Sequence, residues 1–170
     1  ARGELLRQEV QVDLADANGL EPAKAELRTA IAGLEQASEQ IEAALRATAP
    51  NNRAAEDQFS LPELQALQRN VAYQLARGLR NQGLCYPAES ADRTNSLTQA
   101  VERLKPLAEL PVADDTIWRS RVDLIVCLRL LGQYEEATQA LSKLIAAKPA
   151  PAYLLRAMAE KIRLDLAQNK

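Results

Sequence analysis

Histidine is missing altogether from the 170 residues, and with it go the usual general base near neutral pH and the commonest protein metal ligand. Catalytic triads and histidine-containing zinc sites are thereby excluded. Cysteine occurs only twice, as Cys85 and Cys127, which form no C-x-x-C pair; Cys127 stands inside an apolar helical run, where a buried thiol is the simplest reading. Aromatics make up 4% of the chain, and threonine, valine and glycine are scarce, so little is present that favours a pleated sheet. No apolar run approaches the roughly 18 residues of a membrane span, and the opening Ala-Arg-Gly-Glu lacks the basic and apolar pattern of a signal segment. A phosphate-cradling glycine loop and a serine or cysteine paired with a base are also lacking, so no enzyme activity, metal or cofactor is expected. The acidic pairs Asp114-Asp115 and Glu135-Glu136 fall at helix starts, where carboxylates favour the positive end of the helix dipole. With a net charge of -2 and no basic recognition helix or aromatic-basic sheet, nucleic acid is not an expected partner.

What is present is alanine, leucine, glutamate, glutamine and arginine, the mixture that loses least entropy in helices, and the chain reads as all-α. Apolar residues at three- and four-residue steps predict about seven helices. The first spans roughly Glu4 to Ala17 and stops at Asn18-Gly19; the second starts near Pro22 and carries Leu27, Ile31, Leu34, Ile41 and Leu45 at almost heptad spacing. A polar stretch from Thr48 to Gln58 reads as a linker. Ser60-Leu61-Pro62-Glu63 has the form of a capping box opening a third helix that runs to about Gln82. The fourth is expected from near Thr94 to before Pro111, the fifth from after Asp114 to Leu131, the sixth from Tyr134 to about Ala147, and the seventh from Pro151. The chain begins without Met and stops inside a helical pattern at Lys170, which reads as a piece of a longer protein. Its compartment is not legible.

Trp118 to Pro149 reads as two short helices folded back at a Leu-Gly-Gln-Tyr turn. Leu124 and Leu128 face inward on the first, Gly132 ends it, Ala137, Leu141 and Leu144 face inward on the second, and Pro149 closes the unit. This stretch resembles one tetratricopeptide repeat (TPR), with Ala137 as the small residue that allows close helix approach and Pro149 as the terminal breaker. Ile125 and Arg121 depart from the family pattern, standing where a small and a bulky apolar residue are usual. A shift of 34 residues takes Leu124, Ile125 and Leu128 to Met158, Ala159 and Ile162; a backward shift of 49 takes them to Leu75, Ala76 and Leu79, and Gly132 to Gly83. Ala137, Leu141 and Leu144 match Ala100, Leu104 and Leu107 at a shift of 37, which implies a 12-residue insertion in the earlier unit. The resemblance therefore covers residues 61–170 as two repeats plus a closing helix, preceded by a long hairpin and linker over residues 1–60. It implies antiparallel hairpins stacked as a short right-handed α-solenoid, continuous as one structural domain, with a plain helical bundle as the alternative.

In that family the first helix of each unit lines a concave face. Opposite the buried leucines stand Tyr73, Arg77 and Arg80, then Arg119, Val122, Val126 and Arg129, then Tyr153, Arg156, Glu160 and Arg163. Arginine forks suit carboxylates and tyrosine gives rigid contact area, so the expected function is non-catalytic protein interaction, with an acidic segment of a protein or peptide partner in the groove. The valines replace the family's polar clamp for a chain terminus. The other reading is a solvated face answered by Asp123, Glu160 and Asp165, in a structural or oligomerisation module without a groove ligand. Residues 1–60 carry net charge -5 and residues 61–170 net charge +3, an asymmetry in keeping with an acidic hairpin beside a basic face. Two further surfaces are legible. The insertion LCYPAESADR, with Cys85, Tyr86 and Pro87 near its start, is either a contact loop or tolerated length. The heptad-like stripe of the second helix either packs on its own neighbours or forms the seam of a homodimer.

Overall fold

The computed structural model describes Glu4 and residues 20–47, 59–111 and 114–168. Among these residues there are six helices and no strand: α1 (Leu20–Ala47), α2 (Leu61–Gly83), α3 (Ala91–Glu109), α4 (Asp115–Leu130), α5 (Tyr134–Ala146) and α6 (Pro151–Ala167). The all-α expectation holds. The helix expected over Glu4 to Ala17 and the linker from Thr48 to Gln58 lie outside the described residues, apart from Glu4 itself.

Local chemistry sets the helix ends. At the start of α2 the Glu63 carboxylate accepts hydrogen bonds from the Ser60 backbone N–H (2.8 Å) and from its hydroxyl (2.6 Å). These contacts hold the Glu63 carboxyl below its usual range, the hydroxyl first and the backbone second. Helix α3 begins at Ala91, not near Thr94, because Ser90 Oγ accepts from the Arg93 N–H (3.2 Å) and so satisfies an amide that the first turn leaves open. The connection to α3 is thus shorter than the insertion reading implied. Asp114 caps α4 by accepting from Ile117 N–H at 2.9 Å. Its far end closes in a Schellman motif: Gln133 N–H donates to the Leu128 carbonyl (2.9 Å) and Gly132 N–H to that of Arg129 (3.0 Å), with Gly132 at φ 74°.

Each helix packs on its chain neighbour, and α2, α4 and α6 also pack on one another in sequence. One apolar core runs through all six, from Ile31 in α1 through Leu75, Leu104, Ile125 and Leu141 to Leu164 in α6. Burying a side chain of this size stabilises the fold by about 1.5–3 kcal/mol, so the leucine and isoleucine registers hold the helices in place. Helix α1 lies on α2, where Gly78 makes room: a Cβ there would stand 3.1 Å from Ile31 Cγ1. Of the heptad-like stripe Leu27, Ile31, Leu34 and Ile41, three residues are buried within the chain and Leu34 is partly buried against the core. The segment after α2 also serves α1. Cys85 is buried against Ala23 and Leu27, the Lys24 ammonium sits 4.8 Å above the Tyr86 ring, and Arg28 donates to the Tyr86 hydroxyl at 3.3 Å.

Candidate functional site: the charged row across α2, α4 and α6

The three helices that the repeat register marks as first helices lie side by side, and polar side chains cross each junction. On α2, Tyr73 is 6% exposed, and its hydroxyl donates to Asp123 Oδ2 on α4 at 3.1 Å. Arg80 donates to the other oxygen, Oδ1, at 2.5 Å. One carboxylate thus accepts from two donors, a charge-assisted arrangement that fixes the α2–α4 distance. Burial pushes the Tyr73 phenol up to about 12, and the Asp123 charge and hydrogen bond act in the same direction. Nearer the chain start, Arg77 pairs with Glu4 at 2.6 Å.

The α4–α6 junction repeats the device, again with the arginine on the earlier helix and the carboxylate on the later one. Glu160 is 3% exposed and accepts from Arg129 Nε at 2.9 Å and, through its other oxygen, from Arg163. A buried carboxylate is costly unless its oxygens are satisfied, and here two guanidinium groups satisfy them. Arg129 is mostly enclosed, with 18% of its side chain exposed, whereas Arg163 keeps 57%. Arg119 makes an exposed pair with Asp115 one turn back. Arg156 is exposed and forms no ion pair among the described residues.

The eight residues singled out from sequence therefore divide. Tyr73, Arg80 and Arg129 are enclosed against Asp123 and Glu160. Arg77, Arg119 and Arg163 pair with Glu4, Asp115 and Glu160 but keep 37%, 45% and 57% of their side chains exposed, and Arg156 is exposed without an ion pair among the described residues. Tyr153 is half-buried and stacks on Trp118, with ring centroids 6.2 Å apart and planes at 25°. Asp123 and Glu160 answer the arginines as the solvated-face reading expected, but both are built into helix junctions; Asp165 pairs instead with Lys161 at 2.9 Å. Val122 is buried in the core and Val126 is half-buried.

Arg121 and Trp118 carry more of the geometry than their sequence positions suggest. The Arg121 guanidinium lies 4.6 Å above the Trp118 ring and donates to the Ala108 carbonyl (3.0 Å) and the Leu110 carbonyl (2.8 Å), closing the end of α3. The signal for it was the departure itself, an arginine where the repeat favours an apolar residue. A cleft of about 460 Å³ beside it, lined by Leu124, Leu128, Ala140 and Leu144, is bridged at its rim by Lys105 and Glu136, 3.1 Å apart. Among the described residues, no group of three or more His, Cys, Asp or Glu side chains is placed to hold a metal ion, and no helix is long and apolar enough to cross a membrane. Cys127 is fully buried, and burial pushes its thiol up to about 12, the direction of an unreactive sulfur. Comparison with protein-family models, with curated proteins and with solved structures returned no match for this chain.

Proposed function

We propose that the chain is a non-catalytic protein-interaction scaffold, a TPR-like stack of helical hairpins whose α2–α4–α6 face receives an acidic segment of a partner. The observation that carries this reading is the gradient of arginine exposure along the charged row. The Arg80 side chain is 15% exposed and Arg129 18%, while Arg119 keeps 45%, Arg163 57%, and Arg156 has no acidic partner among the described residues. The inner arginines brace the helices; of the outer ones Arg119 pairs with Asp115 and Arg163 with Glu160, but all three stay exposed enough to meet a partner's carboxylates. The repeat register supports the stacked-hairpin part of the reading: Ala100, Leu104 and Leu107 on α3 and Ala137, Leu141 and Leu144 on α5 are all buried.

A second reading, a structural module without a groove ligand, draws on the internal partners of Tyr73, Arg77, Arg80 and Arg129. The two are separated by reversing charge only at exposed positions that brace no helix junction. Capture of partners from a source lysate is compared for the wild-type chain and an Arg119→Glu/Arg156→Glu variant, at low and at high salt, with helicity checked by circular dichroism. The scaffold reading expects a partner whose capture fails in the variant and weakens with salt. Equal capture by both proteins, or none by either, favours the structural module.

A further inference from the structure

Tyr73, Arg77 and Arg80 stand four and three residues apart and so share one face of α2. Tyr73 and Arg80 both donate to Asp123 on α4, and that carboxylate ties the two helices together. Arg77, between them, takes its carboxylate from Glu4, 73 residues earlier in the chain, at 2.6 Å. The pairs differ in enclosure. Arg80 and Arg129 keep 15% and 18% of their side chains exposed, and their acids stand on neighbouring helices; Arg77 keeps 37%. Parting an enclosed pair strands a buried charge and is strongly unfavourable. A pair open to solvent is held weakly and can exchange one carboxylate for another. Glu4 also comes from an acidic stretch: residues 1–19 carry Glu4, Glu9, Asp13 and Asp16 against Arg2 and Arg7, a net charge of -2. That is the chemistry the arginine face is proposed to receive.

We infer that Glu4 is an internal, exchangeable ligand of the groove: by pairing with Arg77 it holds the α2 end against acidic partners, and a partner's acidic segment has to displace it. This rests on the groove reading above and adds its regulation. Arg80 is committed to Asp123, so Arg77 is the cation that this face of α2 can offer an incoming carboxylate, and Glu4 withholds it. A tethered group meets its site at an effective concentration in about the millimolar range, so an isolated carboxylate competes poorly. A segment with several carboxylates does better, because Arg119 and Arg156 engage it while it takes Arg77 from Glu4. The contact therefore sets a threshold, admitting strongly acidic segments and turning away weakly acidic ones.

The test uses the full chain and a labelled oligoglutamate peptide in fluorescence anisotropy at low salt, with circular dichroism to check the fold of each variant. Glu4→Gln should tighten binding about threefold, the worth of a half-exposed ion pair. Glu102→Gln makes the same change of charge at an exposed position of α3 and should leave the affinity unchanged. In an Arg77→Gln background, Glu4→Gln should have no effect, because the pair is already gone. Unchanged or weaker binding by Glu4→Gln overturns the inference and makes Glu4 a structural brace. Equal tightening by Glu102→Gln overturns it as an effect of net charge alone, and tightening that survives Arg77→Gln or the absence of saturable binding by every variant overturns it too. Failure of the groove reading looks different: oligoglutamate then binds Arg119→Glu/Arg156→Glu as well as wild type, whatever Glu4→Gln does.

Discussion

Leu128 on α4 and Ile162 on α6 stand 34 residues apart at matching steps of the register read from the sequence, yet one is 2% exposed and the other 61%. Nothing in their immediate sequence separates them, since both follow a three- and four-residue apolar rhythm on a helix of similar length. What differs is the neighbour that comes next. Helix α5 closes over α4, and Ala137 is small enough to let it approach. Each of these helices is therefore only half specified by its own residues, and the energetic weight of its apolar stripe depends on what packs against it.

The largest expected effect breaks that pair directly. Leu128→Ala should destabilise the chain by about 3 kcal/mol, because it removes buried methyl groups and leaves a cavity among α3, α4 and α5. Ile162→Ala should change stability by less than about 0.5 kcal/mol. Urea unfolding followed by circular dichroism measures both; similar losses at the two positions would mean that the α6 face is covered as fully as its equivalent on α4.

Charged groups on α6 sharpen the same contrast. Glu160 is buried against two arginines, while Asp165, five residues on, pairs with Lys161 at the surface. Glu160→Gln leaves the enclosed Arg129 without a countercharge and should cost about 2 kcal/mol. Asp165→Asn should cost no more than about 0.5 kcal/mol and should fade with salt. Equal losses in urea unfolding would show that the α4–α6 junction does not depend on its ion cluster.

The α2–α4 junction answers to pH instead. Burial and Asp123 raise the Tyr73 phenol from its ordinary 10.0 to about 12. Below pH 10 the folded and unfolded states both hold the proton, and Tyr73 adds no pH dependence. Between 10 and about 12 the unfolded chain gives it up first, so stability falls as pH rises. Cys127, raised by burial, acts in the same direction, so the informative quantity is the difference from Tyr73→Phe. That variant should lose about 1 kcal/mol at pH 7 with the Asp123 hydrogen bond, and should show a shallower alkaline decline. An unchanged decline would shift the alkaline sensitivity to other groups.

Much of this was legible in the residues. Helix class, five of the six helix starts to within a residue or two, the buried register of Leu75, Leu104, Leu124 and Leu141, and the turn at Gly132 all follow from periodicity and capping, which are local. The start of α3 was missed because Ser90, three residues before Arg93, caps it with its side chain while Thr94 offered an equally good signal. The arginine row was found as a row, but its role was not legible. Whether Arg80 faces solvent or Asp123 depends on where α4 is placed 43 residues later, and no local pattern encodes that distance. Tyr86 and Cys85 are similar: as sequence they mark a loop, and only the return of α1 makes them part of its seat.

The smallest expected effect returns to the two helix ends of the α4–α5 hairpin. Both use a residue in the left-handed region, Gly132 at φ 74° after α4 and Lys148 at φ 51° after α5. A residue with a Cβ pays about 1–2 kcal/mol there, which glycine avoids. Glycine in turn loses about 0.5–1 kcal/mol more backbone entropy on folding. Lys148→Gly should therefore raise stability by about 0.5 kcal/mol, while Gly132→Ala should lower it by about 1 kcal/mol, with no steric part because a Cβ at Gly132 meets nothing within 4 Å. Denaturation midpoints at matched slopes would show the opposite signs. If Lys148→Gly instead weakens the chain, the lysine side chain contributes more at the end of α5 than its backbone conformation costs.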